Sequence, residues 1–429
     1  MTALQYWRMS CEGISETWTA RPCRLKSADF FDALGDKPFA FLYGDGPGTR
    51  WTILGQEPLW VLPDLRSAPP AFERTGDLPP IFPDLVGHLA YEAVSRYSSF
   101  LPPPAPKPFP FPDRHFVVYR HLRLYDRETE TLYEAQRRGP EPAEQRHTLQ
   151  EGTFRARKVG DSDNGKAYRE KVERVRQEIA RGLVYQVNLT RQERWAFRGD
   201  LRAFARRLFE VNPAPFSAFL AGPGFAAVSS SPERFFRIQA GRILASPVKG
   251  TAGRGINPVE DALLKRNLLS SPKDRAELAM ITDLLRNDLT RVCRVPSVAV
   301  EAFPRLESYP NVHHLVADIS GELVPGLTLD ALFGALFPGG SVTGCPKLTA
   351  MQLIRELEPG PRMIYTGAIG WCSHDLAQAD FSIAIRTAWA SAEDLLVGLG
   401  GAVVWESDPE SEYLETVLKG SSIVRCLNG

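Results

Sequence analysis

Apolar and polar positions fall into two textures along the chain. Up to about residue 135 the apolar residues come in short runs, Pro38 to Tyr43, Leu85 to Tyr91 and Phe116 to Tyr125, among prolines such as Pro69-Pro70, Pro79-Pro80 and Leu101-Pro102-Pro103-Pro104. Short apolar runs bounded by proline predict strands, so this part reads as mostly β. Residues 137 to 165 are polar and without period, and read as a linker. Beyond them two periods mix. Lys166 to Arg181 has helical spacing at Val172, Val175 and Ile179, Val184 to Phe197 reads as a long strand, and Leu201 to Val211 as a helix. Further strands are expected at Phe216 to Leu220, Phe225 to Ser229, Met363 to Ser373, Phe381 to Ala390 and Leu395 to Trp405. Clustered strands interrupted by helices predict an α+β fold with antiparallel sheets rather than a βαβ alternation. The expected domains are a β-rich region at 1–150 and a second domain at 160–425.

Two helix starts place acids in register. Ser271-Pro272-Lys273-Asp274 supplies an N-cap, a proline at the first helical position and an acid in the first turn, so a helix should run from here to about Leu289. Glu277 shares a face with Asp274, Ile281 and Leu285, and a carboxylate on an apolar stripe needs a partner. A second helix starts at Asp408-Pro409 and carries Glu412, Glu415 and Lys419 near one face. Taken alone, that face reads first as solvated, with a Glu415 to Lys419 pair one turn apart. If the two acidic faces meet, they form a hard-oxygen site suited to Mg²⁺.

Composition narrows the function classes. Fifty-one basic side chains balance fifty-one acidic ones in 429 residues, so no global field favours nucleic acid or a membrane surface, and an anionic ligand must be held locally. The six cysteines are scattered without CxxC spacing, which argues against a zinc site or disulfide framework and for a reducing compartment. Met1 to Ile14 lacks the apolar run of a signal peptide and no stretch reaches spanning length, so a soluble cytoplasmic protein is expected.

Three segments carry candidate chemistry. In Ser246-Pro247-Val248-Lys249-Gly250-Thr251 an amine lies between a fixed-φ proline and a glycine. With an ordinary pKa of roughly 10.4, less than about 0.1% of such an amine is free base at neutral pH, so it acts as a nucleophile only where burial or a nearby cation depresses that value. The bland alternative is a surface lysine in a turn. Phe337 to Lys347 is glycine-rich, yet Cys345-Pro346 separates Gly344 from Lys347 and the Walker spacing fails. Its backbone N–H groups and the Thr343 hydroxyl remain able to surround an anion at a helix start, and a second glycine-rich loop, Gly398 to Ala402, lets backbone approach a ligand. In Ser382 to Thr387, strand alternation places Arg386 on the face of Ser382 and Ala384, where a guanidinium could fork onto a carboxylate.

Taken together, these blocks resemble the chorismate-utilising enzymes, the family of anthranilate synthase component I, aminodeoxychorismate synthase component I, isochorismate synthase and salicylate synthase. The resemblance spans roughly residues 165 to 425, through Tyr185-Gln186-Val187-Asn188-Leu189, Ser231-Pro232-Glu233-Arg234, Lys273 to Asp288, Val312 to Leu315, Phe337 to Lys347, Tyr365 to Gly370, Ser382 to Thr387 and Ser411 to Lys419. The first part matches more loosely, through Gly87 to Glu92. The resemblance implies two intertwined subdomains with large, mostly antiparallel β-sheets packed as a sandwich and helices outside. It implies Mg²⁺ held by Glu277 and Glu415, with Asp274 and Glu412 beside them, and a substrate carboxylate bound by Arg386 and Tyr365 with Lys419 and the Gly400 and Gly401 N–H groups. Thr343 and His314 would line the same pocket, and Glu233 would protonate the departing C4 hydroxyl.

Two positions separate the members. Isochorismate and salicylate synthases look for a water-activating lysine where this chain has Gln186, and anthranilate synthases carry alanine where it has Lys249. The Pro-Val-Lys-Gly-Thr form is that of aminodeoxychorismate synthase, whose lysine attacks C2 of chorismate before ammonia adds at C4. With no Gly-x-Cys-x-Gly elbow and no sequence after Gly429 for a fused lyase, the resemblance implies a separate glutamine amidotransferase subunit that supplies ammonia, in a heterodimer serving 4-aminobenzoate and folate formation. Cys345 stands where the family has a small alanine, and no Leu-Leu-Glu-Ser element is evident in the N-terminal region. Anthranilate synthase, or a noncatalytic regulatory subunit that binds an amino acid, are the alternative readings.

Overall fold

A computed structural model describes residues 14–34, 38–44, 49–67, 69–138, 152–309 and 312–429. Among the described residues, twenty-one strands join into one hydrogen-bonded network that folds over into two layers. The first layer runs, neighbour by neighbour, through Phe154–Asp161, Gln186–Gly199, Asp394–Val403, Thr387–Ser391, Phe225–Ser231, Phe216–Gly222, Phe39–Tyr43, Trp51–Val61 and Arg114–Asp126. The second runs from the start of Arg114–Asp126 through Leu85–Leu89, Ala368–Cys372, Gln378–Ile383, Arg234–Gln239, Arg242–Ser246 and Val312–Glu322, which also pairs with Val248–Gly253 and Ala299–Ser308. These ladders are antiparallel; Ile14–Pro22 adds a parallel pairing with Phe72–Gly76.

Three apolar clusters explain the layering. Ala40, Ile53, Val86, Val117, Leu220, Ile369, Trp371, Trp389 and Leu396 fill the space between the two sheets. The outer face of the first sheet packs Phe41, Phe197, Phe219 and Val397 against Phe204, Leu208 and Ile423 of the Leu201–Val211 and Pro409–Asn428 helices. The outer face of the second packs Phe236, Ile319 and Phe381 against Leu278, Ile281 and Leu285 of the Pro272–Thr290 helix and Phe333 of the Leu329–Leu336 helix. Covered on both faces, Phe225–Ser231 is buried at every position, as a central strand of a sandwich with outer helices must be. The expected α+β sandwich is therefore what the chain forms.

Local signals decide the helix starts. Ser271 Oγ accepts the Asp274 N–H at 3.3 Å with Pro272 in the first turn, and Asp408 Oδ1 accepts the Ser411 N–H at 2.9 Å ahead of Pro409. Such a cap is worth about 1 kcal/mol. Four expectations need correction. Arg137 and Arg138 close the Thr131–Arg138 strand and Phe154–Asp161 pairs with Gln186–Gly199, so these parts of the expected linker are strand, while 139–151 lie outside the described residues. Gly398 to Ala402 is not a loop: it lies within the Asp394–Val403 strand. The Met363 to Ser373 strand shrinks to Ala368–Cys372, because Met363 and Thr366 take φ of 55° and 62°. The expected Phe381 to Ala390 strand breaks in two at Arg386, which takes φ of 50°, so strand alternation does not decide where its side chain points.

Candidate active site

Lys249 lies opposite Leu315 in the ladder between Val248–Gly253 and Val312–Glu322. The register slips between Lys249 and Thr251, and Gly250 adopts φ of 71°, a bulge that glycine makes without steric cost. The Pro272–Thr290 helix presses onto this bulge: a Cβ at position 250 would stand 2.9 Å from Asp274 Oδ1. Lys249 is consequently half-buried on the wall of a cleft rather than on the open surface. Its ammonium pKa is lowered, first by loss of solvent and then by the Lys419 cation, while the carboxylates of Glu277, Glu233 and Glu415 act against the shift.

Those three carboxylates come from three elements. Glu277 is half-buried on the Pro272–Thr290 helix, with burial raising its pKa; Lys249 and Lys273 oppose that and Asp274 and Glu415 add to it. The Glu415 charge thus reaches Glu277 from the other acidic helix. Glu412 is buried on the Pro409–Asn428 helix, Oε1 accepting from Ser407 Oγ at 2.6 Å, and burial raises its pKa with Glu415 adding to the rise. Glu415 Oε1 takes the Lys419 ammonium at 2.5 Å, the pair that helical spacing predicts. Glu233 is buried in the link between Phe225–Ser231 and Arg234–Gln239. Burial raises its pKa against the pull of the Ser341 hydroxyl, the Lys249 ammonium and the Val248 N–H. Ser341 Oγ faces it without a hydrogen bond of good geometry.

The donor set suits a hard divalent cation. Glu412 Oε2 is buried without a hydrogen-bond partner. A Cβ on Gly401 would stand 3.3 Å from it and 3.7 Å from Glu415 Oε1, so two carboxylates share the space over a bare backbone. Mg²⁺ is commonly held by one or two protein carboxylates, with waters and ligand oxygens completing its shell. No group of three or more His, Cys, Asp or Glu side chains closes around one point among the described residues.

Cationic and donor groups make up a second set of candidates. Arg386 is half-buried, its pKa lowered by loss of solvent, and among the described residues it makes no ion pair. A desolvated guanidinium in a left-handed backbone position, without a carboxylate, is strain of the kind that accompanies ligand clamps. Tyr365 stacks on Trp389 at 6.5 Å and lies so close over Gly398 that a Cβ there would meet its Cγ at 2.1 Å. Burial pushes its phenol well up. Gly400 and Gly401 pair with Thr190 and Leu189 on one side, whereas the neighbouring Thr387–Ser391 strand stops pairing at Val397; of two consecutive residues one N–H therefore points to the unpaired edge. His314 is buried with Nδ1 3.0 Å from Thr251 Oγ1, and burial followed by the Arg386 charge lowers its pKa to about 4, so the ring is neutral at pH 7.

Other sequence candidates sit differently. Thr343 is buried and its hydroxyl donates to the Gly339 carbonyl at 2.9 Å, so its hydrogen is spent within its own turn. Lys347 is held by Asp288 at 2.5 Å and by the Leu336 carbonyl, away from anion duty. Gln186 is buried with both amide atoms lacking partners, a costly state that marks space for a polar ligand or water. Sequence reasoning missed Ser341, facing Glu233, and Lys273, whose charge acts on both Glu277 and Glu412. The glycine-rich context of Ser341 was the available signal; for Lys273 there was none.

A two-sheet sandwich with outer helices and this cleft defines the class, and comparison supplies the family. Residues 56–425 match the family of chorismate binding enzymes, and the chain belongs to it. It is 45% identical over 261 residues to an aminodeoxychorismate synthase of Streptomyces pristinaespiralis, an alignment covering 61% of this chain and 36% of that relative, and so spans well under half of that protein's length. It is 35% identical over 382 residues to an aminodeoxychorismate synthase component 1 of Salmonella typhimurium, covering 88% of this chain and 84% of the relative. The fold matches the crystal structure of anthranilate synthase component I from Streptococcus pneumoniae with a TM-score of 0.74 at 24% identity, over 89% of this chain and 93% of that one. No described helix is long and apolar enough to cross a membrane.

Proposed function

We propose that this chain is an aminodeoxychorismate synthase component, converting chorismate and ammonia to 4-amino-4-deoxychorismate and water. One observation carries the reading: Lys249, the residue that distinguishes this activity within the family, is a desolvated amine facing Glu277, Glu233 and Glu415 in one cleft. Arg386 and Tyr365 would take one substrate carboxylate, with Lys419 and a backbone N–H from the Gly400-Gly401 edge. Glu277 and Glu415 would hold Mg²⁺, with Glu412 and Asp274 beside them, and when bound the ion would anchor the ring carboxylate and draw electron density from the ring.

The neutral Lys249 amine attacks C2, the C1=C2 and C5=C6 double bonds shift to C1=C6 and C4=C5, and the C4–O bond breaks as Glu233 gives its proton to the departing oxygen, which leaves as water. The proton shed by the lysine nitrogen restores the Glu233 carboxyl. Ammonia then adds at C4, both double bonds shift back, and the C2–N bond breaks as one ammonia proton passes to the lysine nitrogen, which returns the neutral amine. One hard substitution becomes two easier ones. Burial favours the required starting states, a neutral amine and a protonated acid, at the two groups that need them.

Ammonia would come from a separate glutamine amidotransferase, a reading that fits the name component 1 carried by the Salmonella relative. Chorismate, ammonium and Mg²⁺ incubated with the protein should yield 4-amino-4-deoxychorismate, identified by mass. Direct formation of fluorescent anthranilate would assign the other aminating branch of the family, and absence of turnover with any amidotransferase would favour a regulatory subunit.

A further inference from the structure

We propose that Arg362 is a positioning residue that fixes the turn carrying Tyr365 relative to the segments carrying Ser341 and Gln186; the inference rests on the reading above. Its guanidinium is almost wholly enclosed, and all five of its N–H hydrogens find acceptors. Nη1 donates to the Val342 carbonyl at 2.8 Å and to Thr366 Oγ1 at 3.3 Å. Nη2 donates to the Asn188 carbonyl at 2.7 Å and to Glu358 Oε1 at 2.6 Å, and Nε to Glu358 Oε2 at 2.8 Å. The plane lies 4.6 Å from the centre of the Tyr91 ring.

The acceptors give this arrangement its meaning. Val342 follows Ser341, the hydroxyl facing Glu233, and Asn188 stands two residues from Gln186 on the Gln186–Gly199 strand. Thr366 follows Tyr365. One cation therefore ties the Thr366 turn to the Val342 and Asn188 segments, which are themselves joined by the Asn188 N–H bond to the Thr343 carbonyl at 2.7 Å, and it neutralises a buried Glu358, whose Oε1 also accepts the Thr190 N–H at 2.9 Å. The backbone of the same turn is held separately: Glu92 accepts the Arg362 and Met363 N–H groups at 2.8 Å each, which keeps Met363 in its left-handed conformation. None of these groups touches the reacting atoms. A lysine could neutralise Glu358 but has three donors on a single nitrogen and cannot reach carbonyls on two sides of a planar fork.

The test uses the full chain with ammonium as nitrogen donor. Arg362→Lys should fold, yet lose at least tenfold in kcat with a raised KM for chorismate. In Arg362→Gly, millimolar methylguanidinium should restore part of that loss, whereas methylammonium should not. Thr366→Ala, which removes one acceptor and leaves the guanidinium, should lower kcat severalfold while its melting temperature stays within a few degrees of the parent; it decides the matter should the Arg362 variants not fold. The inference is overturned if Arg362→Lys, or Thr366→Ala in its place, keeps kcat and KM within twofold. Should the parent itself neither bind chorismate, read by quenching of tryptophan fluorescence, nor turn it over, the functional reading fails instead.

Discussion

Glu412 Oε2 lies 3.3 Å from the point where Gly401 would carry a Cβ, while Glu415 Oε1 lies 3.7 Å from the same point. A methyl group there would occupy the space the two carboxylates share. Gly401→Ala should therefore raise the Mg²⁺ concentration for half-maximal activity by about tenfold, a loss of about 1.4 kcal/mol in binding. The strand is preserved, so thermal melting should move little. An unchanged Mg²⁺ titration would show that the ion does not sit over Gly401.

Lys249 should betray itself in stability as well as in rate. Its pKa is lowered in the folded chain, so the unfolded chain binds more protons and folding stability rises with pH toward the ordinary lysine value. Lys249→Met should thus melt at or above the parent's temperature at pH 7, and the difference should shrink as pH approaches 10. Ammonia-dependent turnover should fall by at least about a hundredfold, the scale of a lost covalent route. Parent-like turnover would remove the lysine from the chemistry, and a markedly lower melting point would show that its charge stabilises the fold.

Glu233 sets the opposite limb of the pH profile. Its carboxyl pKa is raised by burial, and the proton it must donate is lost as pH climbs through that raised value. Since Lys249 must lose a proton and Glu233 must keep one, kcat/KM should be bell-shaped. Glu233→Gln should cut the rate by about 10²–10³ and abolish the alkaline limb while leaving the acidic one. Survival of the alkaline limb in that variant would place its cause elsewhere.

Much of this cleft could be read from local signals, because caps and helical spacing are local. Ser271-Pro272 and Asp408-Pro409 placed both acidic helices, and the Glu415 to Lys419 pair followed from one turn of spacing. What failed was governed by contacts distant in sequence. The glycines at 398 to 401 resembled a loop, yet they are strand residues kept small by Tyr365 and two carboxylates lying on them. Arg386 defeated period-two alternation because its left-handed φ breaks the strand. Phe154–Asp161 read as linker because, as a sheet edge, it buries little of either face. No spacing rule could foresee that Leu85–Leu89 pairs with Ala368–Cys372.

That last ladder is secured at one end by Asp84, which is buried and whose carboxylate takes Arg74 Nη2 at 2.5 and 2.7 Å, Arg137 Nη2 at 3.3 Å and His374 Nδ1 at 3.0 Å. Burial works to raise the Asp84 pKa, but His374, Arg137 and Arg74 together hold it below the usual carboxylate value; the bond to Asp84 raises that of His374. Asp84→Asn keeps the shape but leaves the buried Arg137 and half-buried Arg74 guanidinium groups sharing, among the described residues, only the Glu16 carboxylate, and breaking a buried pair in this way costs about 3–5 kcal/mol. The sign of the pH effect follows from both shifts. The depressed carboxylate contributes fully above 3.8 and the raised imidazole fully below 6.5, so the pair is strongest between those values and weakens as pH rises through the folded value of His374. Urea unfolding of the parent from pH 6 to 9 should show that decline, and Asp84→Asn should be less stable throughout with the decline flattened. Equal slopes in the two proteins would mean that His374 draws its stabilisation from a group other than Asp84.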